Sequence, residues 1–197
     1  MLTHLRPAIT LTIGFTLLTG LAYPLAMTSI AQTLFPAAAN GSLIAQGDRV
    51  IGSALIGQGF AAPGYLHPRA SASGWNAAGT GASNLGPTSA ALIATVAERR
   101  AVWEAENGAP APIDAVTTSG SGLDPDIGPE NAIGQITRIA TARNADPAAI
   151  RALIEGQIQP KALGLYGETR VNVLIANLAL DAAFPMPPAA GEGAATE

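Results

Sequence analysis

The chain has 197 residues, of which 48% are hydrophobic and 12% charged, with a formal net charge of −4 and no cysteine. An acidic balance without basic clusters argues against nucleic-acid binding, because that binding depends on Lys and Arg at the phosphates. The absence of cysteine is compatible with an oxidising compartment.

An uncharged apolar segment over residues 8–35 is the strongest signal near the N-terminus. No charged residue occurs between Arg6 and Asp48. As a helix, residues 8–35 are roughly 42 Å long, whereas the hydrocarbon layer of a bilayer is about 30 Å thick. The segment therefore predicts a transmembrane helix. A cleaved secretory signal and a buried core helix are the alternatives, although the apolar run is about twice that of a signal peptide.

The residues inside this segment predict its shape and its neighbours. Pro24 removes a backbone donor and should bend the helix, which a membrane protein tolerates when hydroxyls or neighbouring helices bind the freed carbonyl. Small and hydroxylated residues such as Gly14, Thr19, Gly20 and Ser29 suit close packing against partner helices.

The distribution of charge predicts the orientation of the chain. Arg6 lies before the segment, whereas nine of the ten Lys and Arg and all fourteen Asp and Glu follow it. Large domains cross the membrane largely regardless of their charge, so the short basic tail decides the topology. We expect a cytoplasmic tail at residues 1–7, a single span at 8–35 and an extracytoplasmic domain at 36–184.

The domain after the span predicts a mixed α+β fold. Asn40-Gly41 indicates a turn, residues 60–86 a long Gly/Ser/Asn-rich loop, and residues 185–197 a disordered Pro/Ala/Gly tail. We predict a buried strand at 49–58 and further strands at 113–117 and 170–174. We predict helices from Thr88 or Ser89 to Glu106, from Pro129 onwards, from Asp146-Pro147 to about Ile158, and over 175–184. In the Pro129 helix, Ile133, Ile136 and Ala140 should line one face, with Gln135 and Arg138 elsewhere.

Nucleotide-binding motifs are weak in this sequence. A P-loop needs a lysine on the phosphates, and the only lysine, Lys161, lies outside any glycine-rich loop. Residues 57–62 imitate a dinucleotide fingerprint, but Pro63-Gly64 breaks the helix that would receive the pyrophosphate.

Hydrolytic and metal sites are also weakly indicated. His4 and His67 are the only histidines, which argues against a zinc site. A Ser–His–Asp triad drawn from His67 and Asp124 lacks a G-x-S-x-G elbow. Asp124 and Asp126 flank Pro125 and are typical of a capped turn before a helix. Motifs alone indicate a single-span protein with a non-catalytic outer domain.

Several short segments, in order along residues 4–182, resemble one protein family. They are LRPA at 5–8, LTG at 18–20, YP at 23–24, NGSL at 40–43, GSALIGQ at 52–58, SNLGP at 83–87, SGLDP at 121–125, RVNVL at 170–174 and NLALD at 177–181. Ile133, Gln135, Arg138, Ala140 and Arg143 also match. The chain resembles the C subunit of the bacterial Kdp potassium-transporting P-type ATPase, the KdpC family. It departs from the family pattern at Leu66, Pro68 and Ala70, and in the loop at 79–82.

The resemblance implies a non-catalytic subunit of a potassium-uptake complex in the bacterial inner membrane. It implies three partners: a channel-like potassium-binding subunit, the P-type ATPase subunit and a small single-span subunit. The family's C subunit is thought to stabilise the complex and to act as a catalytic chaperone that raises the ATP affinity of the ATPase subunit. If the chain itself contacts ATP, the resemblance points to Gln135 and Arg138. The alternative is that these two side chains cap loops or bridge to the channel-like subunit.

Two rival functions remain open from the sequence. One is a membrane-anchored periplasmic binding or assembly module unrelated to ion transport. The other is an anchored periplasmic hydrolase that depends on His67 or Asp124.

Overall fold

The structure is a computed structural model that describes residues 2–187. The chain divides into two compact units, Met1–Ser53 and Ala54–Glu197. The predicted limits of the tail, the span and the outer domain stay predictions, and the predicted disordered tail lies outside the described residues from residue 188 onwards.

The first unit is dominated by one long apolar helical segment. A 3₁₀ turn at Leu2–His4 leads into α1 (Leu5–Leu17), a π-helical turn (Leu18–Ala22) and α2 (Tyr23–Leu34). The helical segment Leu5–Leu34 has 30 residues, its most apolar 18-residue window has a mean hydropathy of 1.5, and it is long and apolar enough to cross a membrane. The predicted N-terminal apolar helix is therefore confirmed by length and composition.

Pro24 changes the hydrogen bonding of this helix in the turn before it. Because Pro24 has no N–H, it cannot donate to the carbonyl four residues earlier. The preceding turn widens instead, and the Tyr23 amide donates to the Leu18 carbonyl, five residues back. The Thr19 hydroxyl donates to the Phe15 carbonyl at 2.7 Å, within its own helix. Proline here thus produces a π turn inside a continuous helix.

A short helix and a hairpin complete the first unit. The helix α3 (Pro36–Ala39) precedes β1 (Leu43–Gln46), which pairs antiparallel with β2 (Arg49–Ser53). The turn predicted at Asn40-Gly41 is present, with Gly41 at φ +84°. The buried strand predicted at 49–58 is wrong in its extent, since β2 ends at Ser53, and in its burial, since Arg49 and Val50 are exposed.

The second unit consists mainly of helices, with one small antiparallel strand pair. The pairing joins Asp126 to Asn172 and Ile127 to Val171. The elements are α4 (Ala90–Asn107), α5 (Ile113–Val116), β3 (Asp126–Ile127), α6 (Pro129–Gly134), α7 (Ile136–Arg143), α8 (Pro147–Gly156), β4 (Val171–Asn172) and α9 (Val173–Ala183). This mixture confirms the α+β class, while the side of the membrane on which the unit lies stays a prediction.

The core of the second unit forms where α6, α7, α8 and α9 meet. Its helical members face inward at spacings of three or four residues, as in any amphipathic helix. Leu66 joins it from the long loop and is 0% exposed. The core residues are Leu66, Ile127, Ala132, Ile136, Ile139, Ala140, Ile150, Ile154, Val171, Val173, Ala176 and Leu180.

The helix ends follow the local signals in the sequence. Ser89 is the N-cap of α4, its side chain accepting from the Leu92 amide, and Gly108 ends that helix in the left-handed conformation. Asp146 caps α8 with Pro147 at the first helical position. These two helix starts are confirmed, although α8 ends at Gly156, before the predicted Ile158.

Two predicted strands and one predicted helix need correction. Residues 113–117 are wrong as a strand, because Pro112 introduces the short helix α5 and Asp114 lies in its first turn. The predicted strand at 170–174 has only two residues, because the Asn172 side chain accepts from the Ile175 amide and starts α9 at Val173. The Pro129 helix is divided at Gln135 into α6 and α7.

Candidate functional site

The most extensive polar cluster of the second unit surrounds residues 63–67, which we call the strap. The strap belongs to the long loop and has no regular secondary structure. At its centre, the Leu66 amide donates to Asn177 Oδ1 at 2.7 Å, and Asn177 Nδ2 donates to the Leu66 carbonyl at 3.0 Å. Asn177 thus replaces the neighbouring strand that would otherwise satisfy a buried backbone.

Gln135 repeats this arrangement one residue further along the strap. Its Oε1 accepts from the His67 amide at 2.8 Å, and its Nε2 donates to the His67 carbonyl at 3.2 Å. Nε2 also donates to Asn131 Oδ1 at 2.8 Å. Gln135 is 1% exposed, so both of its amide atoms are bound inside the protein. Our placement of Gln135 away from the buried face was wrong.

Arg138 fastens the start of the strap. Its Nη1 donates to the carbonyls of Pro63 and Tyr65 at 2.6 and 3.0 Å. Its Nε donates to Asn107 Oδ1 at 3.0 Å, and its Nη2 to Gln135 Oε1 at 2.6 Å. The planar fork of the guanidinium therefore joins α4, α7 and the strap.

Arg143 holds the strap from its other side. Its side chain is fully buried and pairs with Asp181 at 2.8 Å. Its Nε donates to the Gly64 carbonyl at 2.7 Å, and the Tyr65 ring lies 4.9 Å from the guanidinium carbon. A Cβ added at Gly64 would meet the thioether of Met186, so a side chain here would require the Met186 side chain to move.

Burial and charge shift the pKa values of three groups in this cluster. Burial, with a smaller contribution from the Arg138 guanidinium, lowers the pKa of His67 below its ordinary value. Burial also lowers the pKa of Arg138 and, together with Asp181, raises the pKa of Tyr65. Since His67 Nε2 faces the Ala62 carbonyl at 3.2 Å, the neutral ring carries its proton on Nε2. Its Nδ1 lies 3.7 Å from Glu106, and the two form an ion pair only when the ring is protonated.

Asp124 and Asp126 form a second polar cluster at the β3–β4 pair. Asp124 pairs with Arg69 at 2.9 Å, and its Oδ1 accepts from the Asp126 amide, which is the capped turn we expected. Asp126 pairs with Arg170 at 2.9 Å. Burial nevertheless raises the pKa of Asp126. Both carboxylates therefore have structural partners.

His67 and Asp124, on which the rival hydrolase would depend, do not contact each other. The recorded contacts of His67 are with the Ala62 carbonyl, Glu106 and the strap-binding Gln135, whereas Asp124 contacts Arg69. Within residues 2–187, no three His, Asp or Glu side chains are grouped so that they could hold a metal ion.

A groove of about 570 Å³ lies beside Arg138 on the surface of the second unit. Its lining includes Asn107, Thr137 and Thr141, which offer an amide and hydroxyls, and also the Glu106 carboxylate. Arg138 lines this groove, and the donors of its guanidinium hold the strap.

Sequence reasoning found Gln135 and Arg138 but missed Asn177, Asn131 and the role of Arg143. Asn177 lies in an apolar helix whose neighbours Ala176 and Leu180 are buried. A lone amide in such a helix indicates an internal partner, but the sequence alone does not show that the partner is the backbone of Leu66.

Comparisons with known proteins agree on one family. The family described as "K+-transporting ATPase, c chain" matches residues 5–182. A Potassium-transporting ATPase KdpC subunit from Cereibacter sphaeroides (strain ATCC 17029) is 65% identical over 183 residues, covering 93% of this chain and 99% of that protein. Proteins with the same name from Allorhizobium ampelinum and Caulobacter vibrioides are 54% and 53% identical, over 93% and 94% of this chain and 98% and 96% of theirs.

The fold combines an apolar helix long enough to cross a membrane with a second unit whose central polar side chains hold its own backbone. The chain belongs to the KdpC family, and it is therefore a component of a potassium-transporting ATPase complex.

Replacing Asn177 with alanine should destabilise the second unit. The change leaves the buried N–H and C=O of Leu66 without partners, which costs about 1–3 kcal/mol for each group. We expect the free energy of unfolding to fall by roughly 2–4 kcal/mol. Denaturation in mild detergent can be followed by the fluorescence of Trp75 and Trp103, which both lie in this unit.

Arg151→Ala is the matched control, because it removes an exposed i,i+4 ion pair with Glu155. Such surface pairs contribute at most about 0.5 kcal/mol. Equal losses in the two variants would contradict the structural role of the Asn177 amide.

His67 should make the second unit less stable in acid. Its pKa is lower in the folded chain than in the unfolded chain, so the unfolded chain binds the proton first as the pH falls. The contribution of His67 to the free energy of unfolding is therefore fully present above the unfolded pKa of about 6.5, and it is lost as the pH falls towards the folded pKa. His67→Gln removes this contribution, so unfolding measured at about pH 7.5 and pH 5.5 should show a larger acid loss in the unsubstituted chain. The same loss in both proteins would mean that His67 does not contribute.

Proposed function

We propose that this chain is the non-catalytic subunit of a high-affinity, ATP-driven potassium-uptake complex. It stabilises the assembly and acts as a catalytic chaperone that raises the ATP affinity of a separate ATPase subunit. The observation that carries the proposal is the family match over residues 5–182. The hydrolytic site lies on the ATPase subunit in this proposal.

The strap supports a scaffolding role in this proposal. Gln135, Arg138, Arg143 and Asn177 all bind backbone groups of the strap. Side chains used in this way fix the shape of the surface around them, which suits a subunit whose task is to hold other chains in place. The buried cluster therefore acts as internal support in this proposal.

The proposed partners are the channel-like potassium-binding subunit, the P-type ATPase subunit and the small single-span subunit, with membrane lipid around the span. The apolar segment Leu5–Leu34 provides the membrane contact. The second unit, on the outer side, carries a mildly acidic surface that favours cations near a potassium entrance without binding them tightly.

Direct contact with ATP stays a prediction for Gln135 and Arg138. The arrangement disfavours Gln135, because both of its amide atoms are already bound within the protein. Arg138 is the better candidate, because it lines the groove with Thr137 and Thr141. The nearby Glu106 opposes a phosphate there. We therefore propose that the effect on ATP affinity acts mainly through the ATPase subunit.

Omitting this chain from the complex should raise the KM for ATP of the potassium-stimulated ATPase. A coupling free energy of about 1–3 kcal/mol corresponds to a roughly 5- to 150-fold change in affinity. The chemistry itself should persist, because the hydrolytic site is on a partner. Steady-state assays over a range of ATP concentrations, with the complex purified in mild detergent, measure this.

Two results of that experiment and one further measurement separate the alternatives. An unchanged KM for ATP in a complex that is otherwise intact but lacks this chain would contradict the chaperone role. A chain that purifies without any ATPase partner would favour the unrelated anchored module. Photo-crosslinking of azido-ATP to residues 135–138 would establish direct contact with the nucleotide.

The absence of cysteine makes the proposed orientation directly measurable. We expect Glu98→Cys to react with a membrane-impermeant maleimide in spheroplasts, because Glu98 is exposed and lies in the proposed outer domain. Thr3→Cys, before the span, should react only after lysis. The reverse pattern would place the second unit on the ATP side of the membrane and would overturn the proposed orientation.

A further inference from the structure

Three of the four most exposed large apolar side chains in the described part of the second unit lie together at the tip of one hairpin. Residues 159–170, which we call the tip hairpin, carry Leu163, Leu165 and Tyr166, with exposed fractions of 89%, 78% and 70%. Three neighbouring apolar side chains that face water do not contribute to the core. Such a cluster on a folded surface marks a contact with something outside the chain.

The backbone of the tip hairpin is well defined by hydrogen bonds. Gln159 and Arg170 exchange backbone bonds of 2.8 and 3.0 Å at its base, and Ala162 and Tyr166 do the same nearer its end. Leu163 has φ +53°, a left-handed conformation that L-residues with a Cβ rarely adopt. The sequence thus keeps an exposed leucine at a backbone position that favours glycine, and this strain is compatible with a functional role.

The base of the tip hairpin lies where the chain enters the second unit. Arg170 directly precedes β4, and the Asn172 side chain donates to the carbonyl of Ala54, the first residue of the unit, at 2.9 Å. In the first unit, Ser53 pairs with Leu43, so the chain leaves its hairpin beside the point at which it entered. Residues 35–42 then separate that point from the end of α2, a covalent distance of at most roughly 30 Å.

These observations lead us to propose that the tip hairpin inserts Leu163, Leu165 and Tyr166 into the interfacial layer of the bilayer that holds Leu5–Leu34. The tip extends about 15 Å from its base at about 3.3 Å per residue. Tyrosine is enriched in this layer, because its ring is apolar and its hydroxyl stays hydrated. This proposal rests on the proposed function, in which the apolar segment Leu5–Leu34 anchors the chain in the membrane.

Apolar contact dominates this interaction. Lys161, at the base of the tip, already pairs with Glu168 at 3.4 Å, so the pair has no net charge. Insertion should therefore depend little on anionic lipid or on salt, in contrast to a polybasic membrane contact.

The test places one environment-sensitive fluorophore on the full-length, cysteine-free chain in nanodiscs. Leu165→Cys carries an NBD probe at the tip, and Ile93→Cys carries it at an exposed apolar position of α4. We expect the emission at position 165 to shift to shorter wavelength and to be quenched by lipids with a shallow doxyl group. The probe at position 93 should show neither effect, and the results should not change when phosphatidylglycerol replaces part of the phosphatidylcholine.

Two outcomes would overturn the proposal while leaving the proposed function intact. One is a probe at position 165 that stays as hydrated and unquenched as the probe at position 93. The other is a probe at 165 that becomes shielded only in the assembled complex and without lipid quenching, which would identify a partner subunit as the occupant. A chain that is not recovered with the nanodiscs would overturn the anchoring as well as the insertion.

Discussion

The pairing of side-chain amides with the strap is the interaction on which the second unit depends. Leu66 is completely buried, although the segment that carries it has no neighbouring strand. A buried backbone without hydrogen bonds would cost several kcal/mol, so this part of the core can exist only because Asn177 and Gln135 each bind the N–H and the C=O of one strap residue. Two side-chain amides therefore make the backbone hydrogen bonds that a neighbouring β-strand would otherwise make.

Two arginines of the same cluster also bind the strap. Arg138 and Arg143 lie in the same short helix, α7, yet they reach the strap carbonyls at Pro63 and Gly64 from different sides. Arg143 also reaches α9 through Asp181. The helices that form the core are thus joined both by apolar packing and by one shared polar segment. Such internal use of polar groups agrees with the weakness of functional motifs in this sequence.

What could be predicted from the sequence was encoded locally. The uncharged segment 8–35, the caps at Ser89 and Asp146 and the stop at Gly108 each depend on a few adjacent residues, and each was found. The strand predicted at Ile113 was wrong because short apolar runs fit a strand and a helical turn equally well. The partners of Asn177 and Gln135 lie 111 and 68 residues away, and no periodic pattern records such a pairing. The resemblance to the family came from short matching segments in a fixed order. Such segments indicate a family, but they do not show which residues contact one another.

The π turn at Leu18–Ala22 has a consequence for the neighbours of the membrane helix. A π turn accommodates one additional residue, which rotates everything beyond it by about 100° relative to an uninterrupted α-helix. A line of small residues that begins on one side of α1 therefore continues on another side of α2. In the proposed membrane-spanning role, a helix built in this way offers differently directed surfaces in the two leaflets and can contact separate membrane neighbours at two depths.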